Sequence, residues 1–122
     1  MGRVLIVDDD RQVCTLISDI LADAGFETRC VQTDRETYEF LASRPGLNAL
    51  ILDVNLGAGT TGYDIARFAR QAMPTLPVIY VSGEAPEASF KAFGVPDSQF
   101  VAKPFKPDEL LAAIQARVAP CA

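Results

Sequence analysis

The chain has 122 residues, a net charge of −5, three cysteines and no histidine, and 49% of it is apolar. That length fits one domain and that apolar share suffices for one core; no lysine–arginine stripe marks a nucleic-acid partner, and no apolar stretch nears the roughly 20 residues that span a bilayer. The missing histidine excludes a Ser-His-Asp triad, a histidine metal site and a phosphohistidine on this chain, so any phosphate it handles must come from another molecule.

The pattern alternates strand and helix five times. Val4-Leu5-Ile6-Val7 is a continuous apolar run, as expected of a strand buried on both faces. Val13, Leu16, Ile17, Ile20 and Leu21 then recur at helical spacing, with Gly25 as the stop. Phe26–Val31 is a more polar strand suited to a sheet edge. Thr33 or Asp34 can cap a second helix carrying Tyr38 and Leu41, which Arg44-Pro45-Gly46 ends.

Ala49–Leu52 is the third strand, and Gly57-Ala58-Gly59-Thr60-Thr61-Gly62 reads as a flexible loop. Ile65, Phe68, Ala69 and Ala72 mark a third helix that stops before Pro74. Val78–Val81 is the fourth strand. A short helix follows, with Pro86 in its first turn, Phe90 and Phe93 on its apolar side and Gly94 closing it. Phe100–Ala102 is the fifth strand. Pro107 opens the last helix, whose stripe is Leu110, Leu111, Ile114 and Val118, and Asp108 and Glu109 match its positive end.

Five such units with right-handed crossovers predict a flavodoxin-like, doubly wound α/β domain. Its five-stranded parallel sheet takes the order 2-1-3-4-5, with the switch point between strands one and three. Those strands end in Asp8-Asp9-Asp10 and in Asp53. Carboxylates gathered there repel by roughly 4 kcal/mol per pair at ~4 Å and an effective dielectric near 20, so a cation is expected among them. Mg²⁺ suits one or two direct carboxylates plus other oxygens: Asp9 and Asp53, with Asp8 holding a bound water and the Asn55 carbonyl a further ligand. Mn²⁺ is an alternative occupant. Asp10 reads as a helix cap.

Ser82 and Lys103 end strands four and five at the same edge, and bring a hydroxyl and an ammonium. Acids, cation, hydroxyl and ammonium together can cradle a transferring phosphoryl group. A carboxylate nucleophile would then give an acyl phosphate.

These stretches, namely Val-Leu-Ile-Val-Asp8-Asp9-Asp10, Leu-Ile-Leu-Asp53, Val-Ile-Tyr-Val-Ser82-Gly83 and Phe100-Val-Ala-Lys103-Pro104-Phe105, resemble the receiver domain of two-component response regulators. The likeness runs from about residue 3 to residue 118. It implies that Asp53 accepts a phosphoryl group from a histidine kinase or histidine phosphotransfer protein. It implies Mg²⁺ on Asp9, Asp53 and the Asn55 carbonyl with Asp8 assisting, and Lys103 on the phosphoryl group. Ser82 and Phe100 would be the moving switch residues. Asn55 and Glu84 would tune hydrolysis, and the Lys103–Pro104 peptide would be cis.

The sequence departs from the family pattern in three places. The loop after Asp53 lacks the usual Pro and is one residue longer than usual before Gly62, the fourth helix is about a turn short, and Phe100 stands where Tyr is usual. The resemblance further implies a cytoplasmic signalling switch that is not a metabolic enzyme, with no membrane or direct nucleic-acid partner and a possible homodimer through helices four and five. The expected organisation is one receiver over 1–122 with no output domain, either free-standing or taken from a hybrid sensor kinase.

Two other readings stay open on the residues. A haloacid dehalogenase-like phosphatase would use Asp53 as transient nucleophile, but it needs an acid where Asn55 stands. A nucleotide-binding flavodoxin-like module would use Gly57, Gly59 and Gly62, whose spacing is not that of a dinucleotide or Walker loop. Cys14, Cys30 and Cys121 lack C-x-x-C spacing and are odd in number, which predicts a reducing compartment, no disulfide framework, and Cys14 and Cys30 as small buried residues.

Overall fold

The computed structural model describes residues 2–43, 46–56, 61–83 and 87–116, with the side chains of 87–89 left aside. Its elements are β1 (Arg3–Val7), α1 (Arg11–Asp23), β2 (Glu27–Val31), α2 (Asp34–Ala42), β3 (Ala49–Asp53), α3 (Gly62–Ala72), β4 (Val78–Ser82), α4 (Glu87–Phe93), β5 (Gln99–Ala102) and α5 (Pro107–Gln115). The strands pair in parallel in the order β2-β1-β3-β4-β5, as the pattern predicts. Every residue of β3 and β4 is buried, which is why these segments read as unbroken apolar runs.

Alternate strand residues feed two cores. Leu5, Val7, Leu50, Leu52, Val78 and Tyr80 pack with Leu41 of α2 and Ile65, Ala66 and Ala69 of α3. Val4, Ile6, Ile51, Ile79 and Val81 pack with Ile17 and Leu21 of α1 and Leu110 and Ile114 of α5. Helices therefore cover both faces, and the strands' C-terminal ends are left as the open edge.

Local chemistry fixes the ends. The Asp10 carboxylate accepts from the Gln12 amide at 2.9 Å, and Thr33 caps α2 through the Glu36 amide. Gly25 ends α1 with φ +94°. Thr61 and Asp64 form a reciprocal capping box on α3.

Several expectations need correction. Leu16 and Phe93 lie outside the core at 51% and 58% exposure; the rest of the α1 stripe holds, with Ile17 and Leu21 buried beside Cys14 and with Val13 and Ile20 packed against them. Phe68 is half-exposed and meets Tyr38 edge-on at 4.9 Å. Gly62 is no part of a loose loop: it is buried, begins α3, and donates its amide to the Val54 carbonyl at 2.8 Å. Cys30 is exposed and is joined to Cys14 in a disulfide with Cα atoms 6.0 Å apart. Sequence spacing missed the pair because the β1-α1-β2 crossover, not a local turn, lays α1 against β2. Arg44, Pro45, 57–60, Glu84, Pro86, Val118 and Cys121 fall outside the described residues.

Candidate functional site

At the C-terminal edge of the sheet, β1 delivers Asp8 and Asp9 while β3, paired beside it, delivers Asp53. One carboxylate oxygen from each of the three lies within 4.8 Å of the others. Asp8 and Asp53 are 1% and 7% exposed, whereas Asp9 faces solvent. The Asp8 side chain takes the Asp10 amide at 2.9 Å, and the Asp53 side chain takes the Asn55 amide at 2.9 Å. These short turns aim the remaining oxygens toward one another.

Lys103 enters from the end of β5. Its Nζ donates to Asp8 Oδ2 at 3.0 Å and to Asp53 Oδ2 at 2.9 Å, bridging residues 95 and 50 positions away in the chain. The Lys103 amide also donates to the Ser82 carbonyl at 3.0 Å, and the Lys103–Pro104 peptide is cis. Burial holds the Asp8 carboxyl above its ordinary range, against the Asp10 amide and Lys103, which favour its charge. Burial also pulls Lys103 down, but its bonds to Asp53 and Asp8 outweigh it and leave the ammonium above the usual lysine value.

Three acids and one ammonium leave the cluster with excess negative charge. Oxygens of three side chains within one cation's reach, two of them buried, are a donor set that suits a hard divalent ion. Asp9, exposed and nearest to solvent, is open to direct ligation.

Of the other expected site residues, Ser82 is buried at the end of β4, one position past the Asp53–Val81 pair and opposite Ala102. Asn55 is exposed, two residues past Asp53. Phe100 is half-buried lower on β5, paired with Tyr80 and 5.6 Å from the Phe90 ring. The structure thus gathers Asp8, Asp9, Asp53 and Lys103 and sets Ser82 on the same rim, while Phe100 lies two residues earlier on β5 than Ala102, the partner of Ser82. Glu84 lies outside the described residues.

Sequence reasoning missed two supports. A Cβ on Gly62 would stand 2.3 Å from the Asp53 carbonyl oxygen, so only glycine lets α3 start against the acid-bearing strand. Tyr80 lies fully buried in β4 and its hydroxyl accepts from the Val95 amide at 3.1 Å, fastening the segment after the short α4. A tyrosine inside an apolar run is itself a signal, because its buried hydroxyl needs a partner.

An open α/β sheet with a lysine-bridged acidic pocket at its switch point defines a flavodoxin-like domain of the kind that works at its strand ends. Residues 4–115 match the response regulator receiver domain. The chain is 33% identical to an NtrX-like response regulator of Rickettsia bellii, over 88% of this chain and 23% of that protein. It is likewise 33% identical to the transcriptional regulatory protein GltR of Pseudomonas aeruginosa, over 94% of this chain and 48% of that protein. The chain thus spans a half or less of these curated relatives' own length. The crystal structure of a response regulator receiver protein from Sinorhizobium medicae superposes with a TM-score of 0.89 at 30% identity, covering 94% of this chain and 92% of that one. The chain belongs to the response regulator receiver domain family. These matches support neither the phosphatase nor the nucleotide-binding reading. No helix among the described residues is long and apolar enough to cross a membrane.

Proposed function

We infer that the chain is a phosphoacceptor switch in which Asp53 takes a phosphoryl group from a phosphohistidine on a histidine kinase or phosphotransfer protein. The observation that carries this is the Lys103 ammonium, held between Asp8 and Asp53 within a three-carboxylate cluster. An Asp53 oxygen attacks phosphorus, the P–N bond to the donor imidazole breaks, and an acyl phosphate forms. Asp9, Asp53 and the Asn55 carbonyl would hold Mg²⁺ (or Mn²⁺), with Asp8 in support. When bound, the ion supplies neutralising charge for the phosphoryl oxygens.

The chain's own residues do the rest. Lys103 is already anchored by two carboxylates and can keep its bond to Asp8 while turning its charge to the incoming phosphoryl oxygens. Ser82 can donate its hydroxyl to one of those oxygens, and the half-buried Phe100 can follow behind it. These shifts would bias the surface of α4, β5 and α5 between two arrangements. Asn55 and Glu84 would set how fast water removes the group. On this reading the chain catalyses only its own phosphorylation and dephosphorylation, works in the cytoplasm, and passes its signal to a downstream protein or a second copy through α4 and α5.

The test is incubation with Mg²⁺ and acetyl phosphate. We expect one phosphoryl group per chain, released by hydroxylamine as an acyl phosphate is and absent from Asp53→Asn. Steady release of inorganic phosphate with no label on the protein would instead mark a phosphatase.

A further inference from the structure

The seam between α1 and β2 is built unlike the rest of the core. Residues 11, 14 and 18 of α1 recur at helical spacing, and residues 28 and 30 of β2 alternate onto one strand face, with residue 32 just past its end. They meet in three rungs. Arg11 Nη2 donates to Gln32 Oε1 at 3.4 Å, Cys14 is bonded to Cys30, and the Ser18 and Thr28 hydroxyls lie 2.5 Å apart. A pair of sulfurs therefore sits in the middle of a polar seam at the sheet edge. Cys14 is 1% exposed, but Cys30 faces solvent, so a small thiol or disulfide can reach the pair from one side.

Both sulfurs lie close in the backbone to the acidic turn. The Cys14 amide donates to the Asp10 carbonyl at 3.1 Å, and the Asp10 amide donates to Asp8 Oδ1 at 2.9 Å. On the other side Cys30 precedes Val31, whose carbonyl accepts from the Asp8 amide at 3.2 Å. The bridge thus ties together the two supports of the Asp8–Asp10 turn.

We propose that Cys14 and Cys30 form a reversible thiol–disulfide site whose closed form holds the acidic turn ready for a divalent cation. Its effect on cation binding rests on the site reading given above. With glutathione disulfide as oxidant, the Cys30 thiolate attacks one sulfur of that disulfide and releases one glutathione thiolate. The Cys14 thiolate then attacks Cys30 Sγ and releases the second. Two thiol protons leave, and two electrons pass to the glutathione pair. A bond of this kind in a reducing compartment is typically a sensing bond and not a structural one.

The experiment uses Cys121→Ser protein, so that the pair alone is counted, equilibrated across glutathione to glutathione disulfide ratios. Reactive thiols should fall from two to none in one two-electron step, with no lasting glutathione adduct. Cys14→Ser should instead retain an adduct on Cys30. Mg²⁺ titration of the same protein should show the oxidised form binding about fivefold more tightly than the reduced form. Two thiols surviving at every ratio, a stable adduct in place of the bridge, or equal Mg²⁺ affinity in both forms would overturn the proposal. If Asp53 is not the phosphoacceptor, labelling by acetyl phosphate fails in both redox forms while the thiol step is untouched, which separates the two failures.

Discussion

Lys103 reaches two buried carboxylates at 3.0 and 2.9 Å, and its removal leaves them facing each other without a counter-charge. Lys103→Met should therefore destabilise the metal-free domain by about 3 kcal/mol in urea melts, with Mg²⁺ restoring part of the loss. The ammonium's folded value is raised, so its contribution is fully present below the ordinary lysine pKa of about 10.4 and is lost as pH climbs through the higher folded one. Wild type should lose stability on that alkaline limb, and the Lys103→Met variant should lack that pH dependence. Asp9 works in the opposite direction. It adds an exposed charge to a cluster whose ammonium is already engaged by the other two acids. Asp9→Ala should weaken Mg²⁺ binding yet stabilise the metal-free domain by about 1 kcal/mol after solvent screening. A metal-free melting temperature that does not rise would remove like-charge strain from the account.

At the scale of elements, the acid-bearing strand and the helix after it depend on one close approach. Gly62→Ala would force its methyl group into the Asp53 carbonyl, and the backbone of β3 or α3 would have to move. We expect a cost of about 1–3 kcal/mol and slower labelling by acetyl phosphate, since the clash falls on the backbone of Asp53, the proposed acceptor. The short α4 has a different anchor. Its following segment is held by the Tyr80 hydroxyl on the Val95 amide, and by Arg70, which donates to the Leu76 and Pro96 carbonyls at 2.6 Å each. Tyr80→Phe keeps the ring and orphans a buried amide, so it should cost about 1–3 kcal/mol by chemical denaturation. An unchanged midpoint would show that the Val95 amide finds another partner.

Over the whole molecule, the acids come from β1 and β3 and the lysine from β5, so the pocket exists only when the sheet is assembled. A cation held by these acids would then be coupled to folding. Mg²⁺ at about 100 times its dissociation constant should raise unfolding free energy by about 2.7 kcal/mol, and a chelator should reverse it. Asp53→Asn should blunt that gain, measured as the Mg²⁺-dependent shift in melting temperature.

Much of this was legible in the chain itself. Three apolar runs ending in Asp8, Asp53 and Ser82 gave their strands and the edge where chemistry collects, because side chains buried on both faces leave no alternation to misread; the fifth strand, before Lys103, is only partly buried and was the weaker signal. Helix faces were less legible. In α1 the stripe holds at Ile17 and Leu21 but not at Leu16, because an apolar count does not show which residues the sheet covers.

The amino-acid order by itself determined the five β-α units, the strand order and the identity of the acidic and basic groups. Distances through space belonged to the tertiary structure: the ammonium between two carboxylates, the glycine against the Asp53 backbone, the tyrosine under Val95 and the sulfur pair across α1 and β2. The physical reason is that periodicity reports which face of an element is buried, whereas these contacts, between residues 9 to 95 positions apart, arise only when separate elements are brought together.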